Sequence, residues 1–291
     1  MSFTLVINSS NLSNTNTKGT YTYNFIGGGF TVPDDMECML SSAQIPYSIF
    51  NITSAYDNNR FRISFPTGAG AATFTDFNIV IPDGFYTIDN FNSFVQQYCI
   101  TNGLYLINAN GENVYYIQFY INQTSYAVQL LLFTVPRSLP VGWTQPSNWI
   151  GYSTYTADRT PLMQVLVASP KFGDFIGFNA GVYPTPTLQT TNYSVLSNKT
   201  PIASYVNSFI VHCSLVNNPV VSPSDIIDAF QITNVNFGSN INYQPSVNKF
   251  VRLSRGTYSS MIIYLTDQNN NPVNLLDSNI LITLLFQKNN R

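Results

Sequence analysis

Short runs of alternating apolar and polar residues recur from one end of this chain to the other, and a single stretch carries helical spacing. Residues 2–8 place Phe3, Leu5 and Ile7 on one face, and residues 60–65 set Phe61, Ile63 and Phe65 against Arg62 and Ser64. Successive strand side chains point to opposite faces, so these runs predict half-buried strands. Further strand-like runs cover 20–25, 37–45, 47–52, 77–81, 114–121, 126–135, 162–167, 205–216, 229–233, 249–253, 258–266 and 279–287. Pro82-Asp83-Gly84 is a turn with a mechanism, because proline fixes φ and glycine accepts positive φ. Residues 122–125 close a hairpin, and the Asn-rich stretch 267–277 separates the last two strands. The helix is predicted at about 87–101: Thr87 caps it, Asp89 suits its first turn, and Ile88, Phe91, Val95 and Tyr98 share a face. Asn102-Gly103 supplies a left-handed stop. Residues 172–178 read as an aromatic-glycine stretch, 181–200 as loop, and 137–161 as a long irregular segment. Many short strands without βα alternation predict an all-β sandwich of two antiparallel sheets.

The surface of such a sandwich would be unusual. Only 9% of the residues are charged, against roughly 25% in ordinary soluble domains. The formal net charge is -2, so neutral Asn, Ser, Thr, Gln and Tyr must carry solubility, with little long-range repulsion between copies. That surface suits a subunit packed against neighbours. The first segment has neither the basic start nor the apolar stretch of a secretory signal, and no window of 18 apolar residues predicts a membrane span. Cys38, Cys99 and Cys213 sit in apolar surroundings and read as buried, reduced thiols. Glycosylation sequons at Asn8, Asn11, Asn51, Asn122, Asn192 and Asn198 are expected by chance in so Asn-rich a chain, and no glycan is predicted.

Residues that could carry chemistry are few. The one histidine, His212, is adjacent to Cys213 on a strand, where neighbours face opposite ways, so the two cannot form a nucleophile pair. His212 is expected to meet a hydroxyl or a carbonyl. Asp34, Asp35 and Glu37 read as a solvated lead-in to a strand. Asp267, Asn269 and Asn271 begin like a calcium loop, but Pro272 stands where glycine is needed and Ser278 where the closing glutamate belongs. Gly27-Gly28-Gly29 has no Lys-Ser/Thr and no helix after it, so it is no phosphate loop. No catalytic residue, metal ligand or cofactor is predicted. Lys249, Arg252, Arg255, Lys288 and Arg291 lean toward the end of the chain, a weak pointer to nucleic acid, since stable DNA sites neutralise many phosphates.

Several segments in order carry a resemblance: residues 44–52, Tyr56-Asp57-Asn58-Asn59-Arg60-Phe61, Ile81-Pro82-Asp83-Gly84-Phe85-Tyr86 with its capped helix, residues 102–106 leading to 114–118, Ser138-Leu139-Pro140-Val141-Gly142-Trp143, residues 171–178, residues 208–218, and Gly256-Thr257-Tyr258 through 263–269 and 280–286. Together they resemble the penton, or minor capsid, proteins of virophages and of Polinton- and adintovirus-like elements. The resemblance implies a single jelly roll over residues 1–291, with loop elaboration at 137–161. It also implies a homopentamer at icosahedral vertices, contact with a double jelly-roll major capsid protein, and residence in virions made in host cytoplasm or a virus factory. It brings no catalytic residues. Within 137–161, Trp143 and Trp149 are the candidate interface, and alanine at both is expected to impair assembly while sparing the fold. Two other readings fit the same chain: a jelly-roll attachment or lectin-like fibre module that binds a glycan or receptor, and a β-sandwich glycoside hydrolase with two facing carboxylates.

Overall fold

The computed structural model describes residues 2–12, 19–67, 73–151 and 157–289. The chain divides into two compact units, one of Met1–Ile49 with Val206–Arg291 and one of Phe50–Tyr205.

The first unit contains eight principal strands: β1 (Ser2–Asn8), β2 (Thr20–Asn24), β3 (Met36–Pro46), β4 (Ser208–Cys213), β5 (Ile226–Gln231), β6 (Asn240–Tyr243), β7 (Ser260–Thr266) and β8 (Leu281–Lys288). One antiparallel sheet runs β1-β8-β3-β6 and the other β5-β4-β7-β2. This wrapped order, with first strand beside last and second beside second-last, is that of a jelly roll. The jelly roll is therefore built from the two ends of the chain, and the second unit is inserted between its third and fourth strands.

Strand parity explains the core. On β8, Ile282, Leu284 and Phe286 are all fully buried. On β3 Met36, Cys38 and Leu40, then Ala43 and Ile45, are buried, a change of parity within one strand, and Met39 between them is buried as well. The pairing shows why: Leu284 faces Leu40 while Thr283 faces Ser42, so Ser41 is an extra residue in a β-bulge that returns both halves of β3 to the core. In the other sheet Phe209, Val211 and Cys213 of β4 and Met261, Ile263 and Leu265 of β7 are buried at alternate positions. At one end Phe3 stacks on Phe286 at 4.9 Å, and Phe30 meets both rings edge-on at 5.7 Å.

The second unit has its own core. It holds a sheet of Gly181–Tyr183, Leu162–Val165, Arg60–Pro66 and Phe74–Val80, and a three-stranded sheet of Tyr193–Leu196, Ala127–Leu132 and Ile117–Asn122. A short hairpin pairs Tyr105–Ile107 with Asn113–Tyr115. Helix α1 (Ile88–Asn102) begins where expected, with the Thr87 hydroxyl accepting from the Asn90 N–H at 3.1 Å. Its buried residues are Phe91, Val95 and Cys99, one stripe at four-residue spacing. Gly103 ends it at φ 67, and a Cβ there would lie 1.9 Å from the Asn148 carbonyl oxygen, so only glycine fits. Helix α2 (Lys171–Ile176) occupies the aromatic-glycine stretch. Its Phe172 stacks on Phe61 at 4.8 Å.

All three thiols are buried and none is in a disulfide, as expected. Burial raises the Cys213 thiol to about 11 and the Cys99 thiol to about 12, from an ordinary 9.0. Burial, then the Asp228 carboxylate that its hydroxyl donates to, raises Tyr243 to about 12. These groups ionise more readily in the unfolded chain. Their contribution to stability is whole below pH about 9 and is lost as pH rises toward 12. Thermal melts between pH 8 and pH 11 should show the midpoint falling across that window, and a flat profile would contradict the assignment.

Candidate interaction surface and the buried histidine network

His212 is buried in the first unit with a partner on each ring nitrogen. Its Nδ1 donates to the Asp225 carboxylate at 3.0 Å, its Nε2 pairs with the Thr266 hydroxyl at 2.9 Å, and its ring stacks on Tyr264 at 4.2 Å. The Tyr264 hydroxyl donates to the other Asp225 oxygen. The row Thr266–His212–Asp225 has the connectivity of a nucleophile, base and orienter. It does not present a nucleophile, because Thr266 is 3% and His212 1% exposed. Burial opposes the charge on Asp225, but hydrogen bonds from Tyr264 and His212 outweigh it and hold the carboxyl below its ordinary value. That contribution to stability is present above the unfolded value of 3.8 and disappears as pH falls through the folded one. His212→Ala should lower stability by about 2 kcal/mol, because it strands a part-buried carboxylate and a buried hydroxyl. Chemical denaturation measures the loss.

Several other carboxylates are engaged in local turns and ion pairs. Asp267 Oδ1 accepts from the Asn269 and Asn271 N–H groups, each at 2.8 Å, so the loop once compared with a calcium site closes on its own carboxylate. The cations near the end of the chain are balanced. Lys249 pairs with Asp228, Arg255 with Asp34 and Lys288 with Asp35, at 3.2–3.5 Å. Arg252 lines a small pocket with Asp34, Asp35 and Glu37. A phosphate approaching this edge would meet as much negative as positive charge. Arg291 lies outside the described residues. Among the described residues no helix is long and apolar enough to cross a membrane, and no cluster of His, Cys, Asp and Glu has a metal-binding arrangement.

The two tryptophans have different places. Both lie in the irregular 137–161 stretch, of which 152–156 is outside the described residues. The segment is pinned: Thr144 and Ile107 exchange backbone hydrogen bonds at 2.9 and 3.0 Å, and the Asn148 amide donates to the Ile100 and Thr101 carbonyls at the end of α1. Trp149 packs edge-on to the buried Phe65 at 5.9 Å and lies so close to Gly151 that a Cβ there would fall 2.1 Å from the ring. It is part of the second unit's own packing. Trp143 touches the same core but also lines an open groove of about 530 Å³ beside the 105–115 hairpin. The packing therefore separates the two positions by degree: Trp149→Ala should cost about 3 kcal/mol of stability, and Trp143→Ala less, about 1–2 kcal/mol. Equal losses in urea titrations of the two variants would contradict this division.

The groove was not anticipated from sequence, because its walls come from four separate segments. Glu112, Asn113, Tyr115, Gln118, Trp143 and Asn192 contribute, with prolines 136 and 140 at its edge. The local signal is the Asn-Gly-Glu-Asn run at 110–113, a polar turn within the 105–115 hairpin.

No family model and no curated protein matches the chain. Among solved structures, the mavirus penton protein aligns over 99% of this chain and 99% of its own at 10% identity, with a TM-score of 0.46. A chain from the cryo-electron microscopy structure of the Sputnik virophage aligns over 98% of each at 13% identity, with a TM-score of 0.40. At these scores the likeness carries no functional weight.

Proposed function

We propose that this chain is a structural subunit of a viral capsid, a penton protein that closes as a homopentamer at the shell's vertices and contacts the major capsid protein. The strand order of the first unit, β1-β8-β3-β6 beside β5-β4-β7-β2, is the observation that carries the reading. A jelly roll alone supports many functions. The capsid assignment draws in addition on the ordered resemblance along the sequence and on a chain in which only 9% of the residues are charged. A five-fold ring uses two different patches of each copy, and few charges need be desolvated where neutral amides, hydroxyls and aromatics meet. The buried His212 network belongs to the scaffold in this reading and performs no reaction. The test is to image particles that contain this chain. Density for the jelly roll around the five-fold axes, touching the adjacent major capsid protein, is expected. Density for the chain away from the five-fold axes would reject the proposal.

A further inference from the structure

We propose that the groove beside Trp143 binds a neutral oligosaccharide. Its volume of about 530 Å³ falls within the usual range for small-ligand sites, roughly 300–1,000 Å³, and it is open to solvent, which suits a chain of sugars better than an enclosed cofactor. Trp143 and Tyr115 are both half-buried, with their bodies against the second unit's core and a remaining part toward the groove. An aromatic ring held this way can take the apolar C–H face of a pyranose, while its polar edge meets water or hydroxyl.

Around the rings stand side chains able to match sugar hydroxyls, which both donate and accept. They are held in place by bonds that leave other atoms of the same groups available. The Asn108 amide donates to Glu112 Oε2 at 2.8 Å, and Asn108 Oδ1 accepts from the Asn110 and Glu112 N–H groups. The Glu112 carboxylate is thus fixed through one oxygen. Gln118 Oε1 accepts from Tyr120 at 2.6 Å, and Asn192 Oδ1 accepts from the Thr134 N–H at 2.9 Å, which leaves the two NH₂ groups as donors. The Asn113 amide donates to the Tyr115 hydroxyl at 3.2 Å and sets that ring's position. Among the described residues no lysine or arginine lines the groove, and Glu112 is the one charged group there. A phosphate chain or an acidic sugar would meet repulsion there, so the chemistry selects uncharged hydroxyl-bearing ligands.

The experiment titrates the full chain with chitotriose, maltotriose and N-acetyllactosamine by calorimetry. Saturable binding of at least one of them is expected. Trp143→Ala, and separately Glu112→Gln, should weaken it by about tenfold or more while both proteins melt cooperatively. Three results would overturn the proposal: none of the three sugars binds, binding stays within about twofold in both variants, or a proline-rich peptide occupies the groove and the sugars do not displace it.

Discussion

Replacing Phe91 with alanine should cost about 3–5 kcal/mol of the second unit's stability, the largest effect expected of any single substitution in this chain. Phe91 is fully buried on the inner stripe of α1. Its ring meets Phe119 at 4.9 Å, Phe61 and Phe172 at 5.6 Å, and Phe175 at 5.7 Å, mostly edge-on or tilted. Truncation removes the transfer energy of a whole aromatic side chain and leaves a cavity walled by four rings that cannot all move in. The chain's two tryptophans, Trp143 and Trp149, both lie in the second unit, so intrinsic fluorescence in a urea titration reports that unit selectively. Phe91→Leu keeps part of the volume and should lose less. A loss under about 1 kcal/mol for Phe91→Ala would show that the ring cluster is not the core of this unit.

The second large effect is expected at Asn51, which is 2% exposed. Its amide donates to the carbonyls of Tyr86 and Ala203, both at 2.8 Å, and its Oδ1 accepts from the Tyr86 N–H at 2.8 Å. Asn58 in turn donates to the Asn51 carbonyl at 2.7 Å. One side chain thus joins the first residues of the inserted unit to its last ones and to the strand-to-helix connection between them. Alanine would leave one N–H and two carbonyls without their partner in a part-buried site. At about 1–3 kcal/mol for each stranded group, Asn51→Ala should cost about 3 kcal/mol or more. Asn51→Asp should be at least as damaging, since it loses both donations and buries a charge. The exposed Asn110 makes a control, for which alanine should change stability by less than about 0.5 kcal/mol. Asn51 heads a glycosylation sequon, yet its amide nitrogen is bonded to two carbonyls inside the fold.

The parts that were legible in the sequence are those set by near neighbours. Helix α1 announces itself through Thr87, the Phe91–Val95–Cys99 stripe and Gly103, all within seventeen residues. The hairpin of Ile117–Asn122 and Ala127–Leu132 follows from alternation around a polar turn. Helix α2 escaped notice because it has six residues and Phe172, Gly173, Phe175 and Ile176 are all buried, which leaves no polar face to mark a period. Residues 47–52 read as a strand because Tyr47, Ile49 and Ile52 are buried, but the backbone there is irregular and Ile52 makes only an isolated bridge to Gly84. The stretch 181–200 read as loop, yet it contains Gly181–Tyr183 and Tyr193–Leu196, whose partners lie far back in the chain. The division into a jelly roll and an insertion was out of reach for the same reason. It depends on β3 pairing with β8 across more than two hundred residues, and no local pattern encodes that pairing. At the candidate sites, sequence placed His212 on a strand against a hydroxyl or a carbonyl but could not supply Asp225 or Tyr264. It chose the two tryptophans by residue type, and only the packing separates Trp149 from the groove-lining Trp143.

The central claim is that this chain is a ring-forming shell subunit, and the mass of the purified protein in solution tests it most directly. One chain weighs 32.5 kDa. Native mass spectrometry, with the protein alone and then mixed with the major capsid protein of the same virus, should show a closed species of about 160 kDa, five copies in a cyclic ring. A species that stays at 32.5 kDa under both conditions, and never joins the shell protein, would contradict the account.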